Sequence, residues 1–305
     1  MRIKYIFTFL ILILVIFTIP SYAIEVGRVA KSSSGEGDYK PEYALDGNMK
    51  TRWSSEFADN QWWEVDFERP QVICGATLKW ETAFGEKYSI EVCDSAGNWK
   101  TVYETDEGDG NTDIIYFSPV EIVKFKLNCI ERGTGWGFSI WEVIFHNESD
   151  MPVITASDLK TSSSAPLAMD GNKKTYWHSD KTDKSQINIK FNKELPLGGI
   201  ILFWGEDYAR EYSVEISRDG ENWREVFKTK NSNGGEDQIY FKAADVREIR
   251  INCARDSSGR GFSLAEIELK SAEEQVTPLK SYQVLAKDCP EGYYPMWLRR
   301  LQEFW

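Results

Sequence analysis

Ala44-Leu45-Asp46-Gly47-Asn48-Met49-Lys50-Thr51-Arg52-Trp53-Ser54-Ser55 recurs 124 residues later as Ala168-Met169-Asp170-Gly171-Asn172-Lys173-Lys174-Thr175-Tyr176-Trp177-His178-Ser179, identical at eight of twelve positions. The same offset carries outward without a gap. Trp80 falls on Trp204, Tyr88-Ser89-Ile90-Glu91 on Tyr212-Ser213-Val214-Glu215, and Asn98-Trp99 on Asn222-Trp223. Further on, Ile115-Tyr116-Phe117 falls on Ile239-Tyr240-Phe241, Asn128-Cys129 on Asn252-Cys253, and Gly137-Phe138-Ser139 on Gly261-Phe262-Ser263. A solenoid unit spans roughly 20–50 residues, so a repeat this long is a whole domain present twice.

Within each copy the hydrophobic period is two. Trp63, Val65 and Phe67 alternate with Glu64 and Asp66, and the second copy gives Ile187, Ile189 and Phe191. Similar runs occupy Tyr88–Val92, Val123–Cys129, Tyr212–Ile216 and Ile249–Cys253, separated by turn clusters such as Asp94–Asn98 and Asp219-Gly220. Short strands with no long helical period predict an all-β chain of two tandem antiparallel β-sandwiches. Trp53, Trp63, Trp80, Tyr88 and Trp99 are the expected aromatic core of the first.

The chain opens with Arg2 and Lys4, an apolar run from Tyr5 to Ile19, then Pro20-Ser21-Tyr22-Ala23. A basic start, an apolar stretch and a small-x-small ending predict a signal peptide, residues 1–23, cleaved after Ala23, and hence a secreted or periplasmic protein. The rival reading, a retained anchor, needs about 20 apolar residues to span a bilayer. Loss of Arg2 and Lys4 moves the formal charge from −12 to −14. Such a surface repels phosphate backbones and anionic headgroups, which argues against nucleic acid and membrane as partners. The remaining chain is too long for one ordinary domain, and we assign 24–147 and 148–271 to the two sandwiches, joined by a short linker at Asn147–Pro152. Residues 272–305 read as a polar linker and the start of a further domain. They end on Trp297, Leu298, Leu301, Phe304 and Trp305 at helix-like spacing.

The five cysteines are odd in number and match no metal spacing. Cys74 shares its parity with Val72, Leu78 and Trp80 and is expected to face inward; Cys93 is out of phase with Tyr88, Ile90 and Val92 and is expected to face outward. Cys129 and Cys253 share their parity with apolar neighbours. Small buried hydrophobes with inert thiols are the expected role, with Cys74, Cys93 and Cys289 left open as to disulfides.

Taken together, Asp-Gly-Asn-x-x-Thr-x-Trp-x-Ser, the run Trp80–Val92, and Gly137-Phe138-Ser139-Ile140-Trp141-Glu142-Val143 resemble a discoidin domain. This is the coagulation factor V/VIII C-type family, whose bacterial members include the family 32 carbohydrate-binding modules. The resemblance covers roughly 24–271. It implies a jelly-roll sandwich, similar to galactose-binding domains, with ligand held by loops at one end. It also implies one structural calcium ion per domain, since calcium takes six to eight oxygen ligands. The implied metal residues are Ala44, Asp46, Asn48, Thr51 and Glu142 in the first copy, and Ala168, Asp170, Asn172, Thr175 and Glu266 in the second. Read from residues alone, Asp-Gly is equally an ordinary turn.

For the sugar, an aromatic face with nearby charged or amide groups is needed. The candidates are His178, Glu206, Tyr208, Arg210, Asn233 and Arg260 in the second copy, and Glu56, Trp62, Glu81, Phe84, Arg132 and Trp136 in the first. His178 stands where several galactose-binding relatives carry a histidine, and Ser54 occupies that place in the first copy, so the two domains are expected to differ. The implied function is a non-catalytic tandem that attaches a cell or a linked enzyme to glycans. A protein- or lipid-binding adhesion module is the alternative; a further one is the targeting fragment of a larger glycoside hydrolase, with catalysis in a C-terminal domain. Intrinsic catalysis is not expected. The two histidines, His146 and His178, belong to no triad or metal spacing.

Overall fold

The computed structural model describes residues 27–157, 162–180 and 184–272. The expected leader, the tail beyond Ala272 and Cys289 lie outside the described residues.

The first copy builds seven strands: β1 (Arg28–Ser32), β2 (Trp53–Ser54), β3 (Gln61–Trp80), β4 (Gly85–Cys93), β5 (Trp99–Thr105), β6 (Thr112–Arg132) and β7 (Ser139–His146). β3 and β6 are long because each serves two sheets. Their antiparallel register breaks between Asp66 and Gln71, where Pro70 withholds a donor, and again between Ile73 and Gly75. A Cβ on Gly75 would stand 2.2 Å from the Ile115 carbonyl oxygen, so the strands approach there only because glycine lacks one. Before the break the order is β1–β3–β6–β4–β5; after it, β2–β7–β3–β6. Two antiparallel layers face one another. The second copy repeats the plan with β8 (Val153–Ala156), β9 (Trp177–His178), β10 (Lys184–Trp204), β11 (Ala209–Ser217), β12 (Trp223–Thr229), β13 (Glu236–Asp256) and β14 (Ser263–Ser271).

Between the layers of the first sandwich lie Trp53, Trp63, Trp80, Tyr88, Phe125 and Phe138, all buried. The polar tips of this core share one acceptor: Trp80 Nε1 and Tyr88 OH each donate to Asp113 Oδ2 at 2.7 Å. Asp237 takes the same two bonds from Trp204 (2.8 Å) and Tyr212 (2.6 Å). A buried indole or phenol needs such a partner, which explains why these three residues recur together.

Trp99 departs from expectation. It is 42% exposed and lies on the outer face, its ring 5.7 Å from Lys126 Nζ. Its repeat partner Trp223 sits 3.6 Å from the Arg250 guanidinium, so the recurring Asn-Trp marks a surface cation–π contact. Cys93 keeps the expected outward parity, lying opposite Lys124 while Val92 lies opposite buried Phe125, but it is covered at the strand end, with its Sγ toward the Asp94 carbonyl. Cys74, Cys93, Cys129 and Cys253 are all buried free thiols, and burial pushes Cys74 up to about 11.

The smaller sheets of the two sandwiches join edge to edge, Asp113 and Ile114 of β6 pairing with Lys270 and Leu269 of β14. Ile114 and Tyr116 belong to the core cluster of the second sandwich. The linker is a short 3-10 turn, Glu148–Asp150, capped by Asn147 and held by Asn192, which donates to the Ser149 carbonyl at 2.6 Å.

Candidate functional site

Loops entering and leaving β2, β4 and β7 converge at one end of the first sandwich. Ser55 fixes them: its hydroxyl accepts from Phe138 N at 2.8 Å, and its own N–H donates to the Phe138 carbonyl at 2.8 Å. Above this clasp stand Phe57 and Trp136, packed edge-to-face with centroids 5.5 Å apart, Trp136 being 60% exposed. Arg132 steadies the pair from below, donating to the Trp136 carbonyl at 3.2 Å and to Asp59 at 2.8 Å. Glu56 is exposed beside them, its N–H held by Ser34 Oγ at 3.0 Å. Glu81 is half-buried and pairs with Arg52 at 3.1 Å; Arg52 also lies 4.2 Å from the Tyr39 ring.

Two expected members do not join this group. Phe84 is buried, its ring packed beneath Gly110 and Gly133, so it supports the loops and offers no face to a ligand. Trp62 lies on the outer face of the large sheet, 4.9 Å from Lys126 Nζ. Phe57, Tyr39 and Arg52 were not anticipated. An aromatic two residues beyond the repeated Trp-x-Ser, in a turn-forming segment, is the signal that marks Phe57.

The second sandwich presents different chemistry at the corresponding end. Asp207 is the hub, buried, accepting from Arg260 Nε at 2.8 Å and contacting His178 Nε2 at 3.1 Å. The Ser258 hydroxyl, with Arg260 and His178, holds this carboxyl at about 2. His178 Nδ1 meets the Ser179 carbonyl at 2.7 Å, so both ring nitrogens are oriented. Glu206 is exposed with Arg260 at 3.5 Å, and half-buried Tyr208 packs on Gly234. Exposed Asn233 and Arg210 flank Ser232, whose N–H donates to the Arg210 carbonyl. Asp207 was missed because one Asp in an acidic chain carries no signal. Along the repeat, Trp136 falls on Arg260 and Ser54 on His178: an aromatic platform in one domain, an ionic cluster in the other.

The expected calcium sites are not supported. Asp46 already accepts from Asn48 N (2.9 Å) and the Thr51 hydroxyl (2.7 Å), and Glu142 accepts from Gly47 N at 2.8 Å. In the second copy Asp170 accepts from Asn172 N (3.0 Å) and Thr175, and Glu266 from Gly171 N (3.0 Å) and Asn172 N (3.1 Å). Ala44 and Ala168 are buried below these loops. The oxygens a cation needs are directed at N–H and O–H donors, closing the loops as hydrogen-bonded turns. Among the described residues no group of three or more His, Cys, Asp and Glu is arranged to hold a metal. Burial also raises Glu142 and Glu266, which favours their neutral forms. The second loop has another task, docking on the first domain. Asp170 O accepts from Ser118 N at 3.2 Å, and Gly171 (φ 78°) lies where a Cβ would be 2.6 Å from Val102 O.

Among solved structures, chitosan-binding module 1 from a chitosanase/glucanase of Paenibacillus sp. IK-5 is 35% identical, covering 40% of this chain and 96% of that one, with TM-score 0.39. Module 2 of the same enzyme, solved with chitotriose, is 34% identical over 39% of this chain and 96% of its own, with TM-score 0.38. A curated relative, a polysaccharide lyase 8 family protein of Enterococcus faecalis, is 29% identical over 69 residues. That match covers 23% of this chain and 5% of the relative. The F5/8 type C domain model matches twice, at residues 28–144 and 153–267. The chain therefore belongs to the F5/8 type C domain family and carries two copies of that domain in tandem.

Proposed function

We propose that the chain is a secreted, non-catalytic glycan-binding tandem whose recognition surfaces are the loop ends of its two sandwiches. The observation that carries this is the exposed Phe57–Trp136 pair beside Glu56 and the Arg132–Asp59 couple. An aromatic face packs on the C–H surface of a pyranose, and charged groups at its edge bond the hydroxyls. The His178–Asp207–Arg260 cluster offers the second domain polar groups held in fixed directions. Two unlike weak sites on one chain suit a mixed or multivalent polymer, through effective concentration. Family membership supports the class of ligand, as does the polysaccharide-lyase-family relative.

The test is a glycan array probed with the wild-type chain, Trp136→Ala and His178→Ala. Binding that each variant reduces for a different set of glycans supports the reading. A blank array with folded protein, or binding indifferent to both substitutions, sinks it and shifts attention to a protein ligand.

A further inference from the structure

The second domain has a groove that the first lacks the residues to form. It is a cavity of about 400 Å³ across one end of the larger sheet, over β10, β13, β11 and the end of β12. Ser185, Tyr212 and Cys253 are buried on the inner face, so their strand neighbours Gln186, Ser213, Asn252 and Ala254 project outward. Ala254 lies opposite Lys184 on one side and Glu211 on the other, which makes a low floor between long walls. Beside it runs a polar row: Gln186 Nε2 donates to Asn252 Oδ1 at 2.6 Å, and Asn252 Nδ2 donates to Glu215 Oε2 at 2.9 Å and lies 3.3 Å from Ser213 Oγ, the Glu215 carboxylate being paired with Arg250 at 3.5 Å. Lys184, Lys228 and Lys230 line the groove, and Arg255 stands next to it, donating to the Lys230 carbonyl at 2.7 Å. Glu211 is the carboxylate in the lining and is held by Arg255 at 3.3 Å; Lys228 has an exposed partner in Glu225 at 3.4 Å. An exposed pair of that kind is worth little and re-forms with another anion at small cost.

The equivalent positions in the first domain carry Trp62 for Gln186, Ile130 for Ala254, Asn60 for Lys184, Glu104 for Lys228 and Asp106 for Lys230. Bulk replaces the floor and acid replaces the base. Lys228 and Lys230 therefore reverse the local charge that Glu104 and Asp106 give the first domain.

We propose that this groove binds an anionic glycan segment, with Lys228 and Lys230 taking carboxylate or sulfate groups and the Gln186–Asn252–Ser213 row taking hydroxyls. The glycan class rests on the function proposed above; the location and the charge preference rest on the groove alone. The anionic group pairs with ammonium at the wall, while amides and hydroxyls supply the donor and acceptor geometry that sugar hydroxyls need.

Affinity electrophoresis of the full chain through gels containing polygalacturonate, dextran sulfate or a neutral polysaccharide tests this. Retardation by an anionic polymer is expected, weakened about tenfold or more by the Lys228→Glu/Lys230→Glu double variant, whose charges sit at the surface. Gln186→Trp, which installs the first domain's residue, is expected to block the groove to a similar extent; thermal midpoints of both variants are read alongside. Retention by polygalacturonate alone assigns carboxylate, and by dextran sulfate alone assigns sulfate; either supports the groove. No retardation by an anionic polymer, or retardation undiminished in both groove variants, overturns it. Loss on Trp136→Ala but not in the groove variants also overturns it, while leaving the rim reading intact. Loss in the groove variants with no effect of rim substitutions on any glycan supports the groove and refutes the rim.

Discussion

Lys270 Nζ of the second domain lies 2.7 Å from Asp109 Oδ2 of the first, and both side chains are only 8% exposed. The pair sits where β6 and β14 join the two small sheets, so it belongs to the seam between the domains. The buried Asp113 carboxylate is near both, so deleting Lys270 leaves two buried carboxylates facing one another, whereas deleting Asp109 leaves Lys270 with Asp113. Lys270→Met alone is expected to cost about 3–5 kcal/mol and Asp109→Leu less, whereas the double variant is expected to recover part of the Lys270→Met loss. Urea unfolding of the four chains measures the coupling. Additive losses would show that the pair makes no interaction of its own.

Chelation is expected to leave thermal stability unchanged, because Asp46, Asp170, Glu142 and Glu266 are already bonded by loop donors. An ion that bound only the folded chain would raise the melting temperature in proportion to its occupancy. Thr51→Val, which deletes the hydroxyl bonded to Asp46, is expected to cost about 1 kcal/mol with or without chelator. A melting temperature that falls with EDTA and returns with calcium would restore the metal reading.

The two sandwiches were legible because the gapless repeat and period-2 runs record burial directly. The loop ends were only partly legible. Trp136 announced itself as a loop aromatic, but Phe84, also in a turn, is covered by Gly110 and Gly133. Sequence does not say which side of a loop its neighbour covers. The Asp-Gly-Asn loops show the same limit: their oxygens were visible, but not that backbone N–H groups had claimed them. The seam at Asp109 and Lys270 leaves no periodic trace, since the two residues are far apart in sequence and neither recurs at the repeat offset.

His146 is expected to make the domain junction acid-sensitive. Burial, with Lys193 nearby, lowers its pKa from 6.5 to about 4 against the opposing pull of Asp150; its Nε2 meets Thr77 Oγ1 at 2.8 Å. The folded state disfavours the cation, so stability is unaffected above pH 6.5 and falls as pH drops toward 4. Asp113, raised to about 6 by burial, acts with the opposite sign: its cost grows as pH rises from 3.8 to about 6. His146→Gln isolates the first contribution. Relative to wild type it is expected to gain about 2–3 kcal/mol on going from pH 7.5 to pH 4.5. An equal pH dependence in both chains would show that His146 does not carry the effect.

Asp207 is expected to be the organising residue of the second rim rather than a contact in its own right. Held at about 2, it stays ionised through the whole neutral range, and the stability it contributes is present above 3.8 and lost only as pH falls toward 2. Its two oxygens fix Arg260 and His178 from opposite sides. Asp207→Leu keeps the volume but deletes both oxygens, so Arg260 and His178 lose their shared partner together. In a Trp136→Ala background, where the first rim is disabled, this change is expected to weaken residual glycan binding about tenfold, or ~1.4 kcal/mol. His178→Ala in the same background is expected to give a similar loss, and the double variant little more than either single. Titration calorimetry with a glycan selected on the array reads all three. Additive losses would show that Asp207 and His178 act independently and that the cluster does not work as one unit.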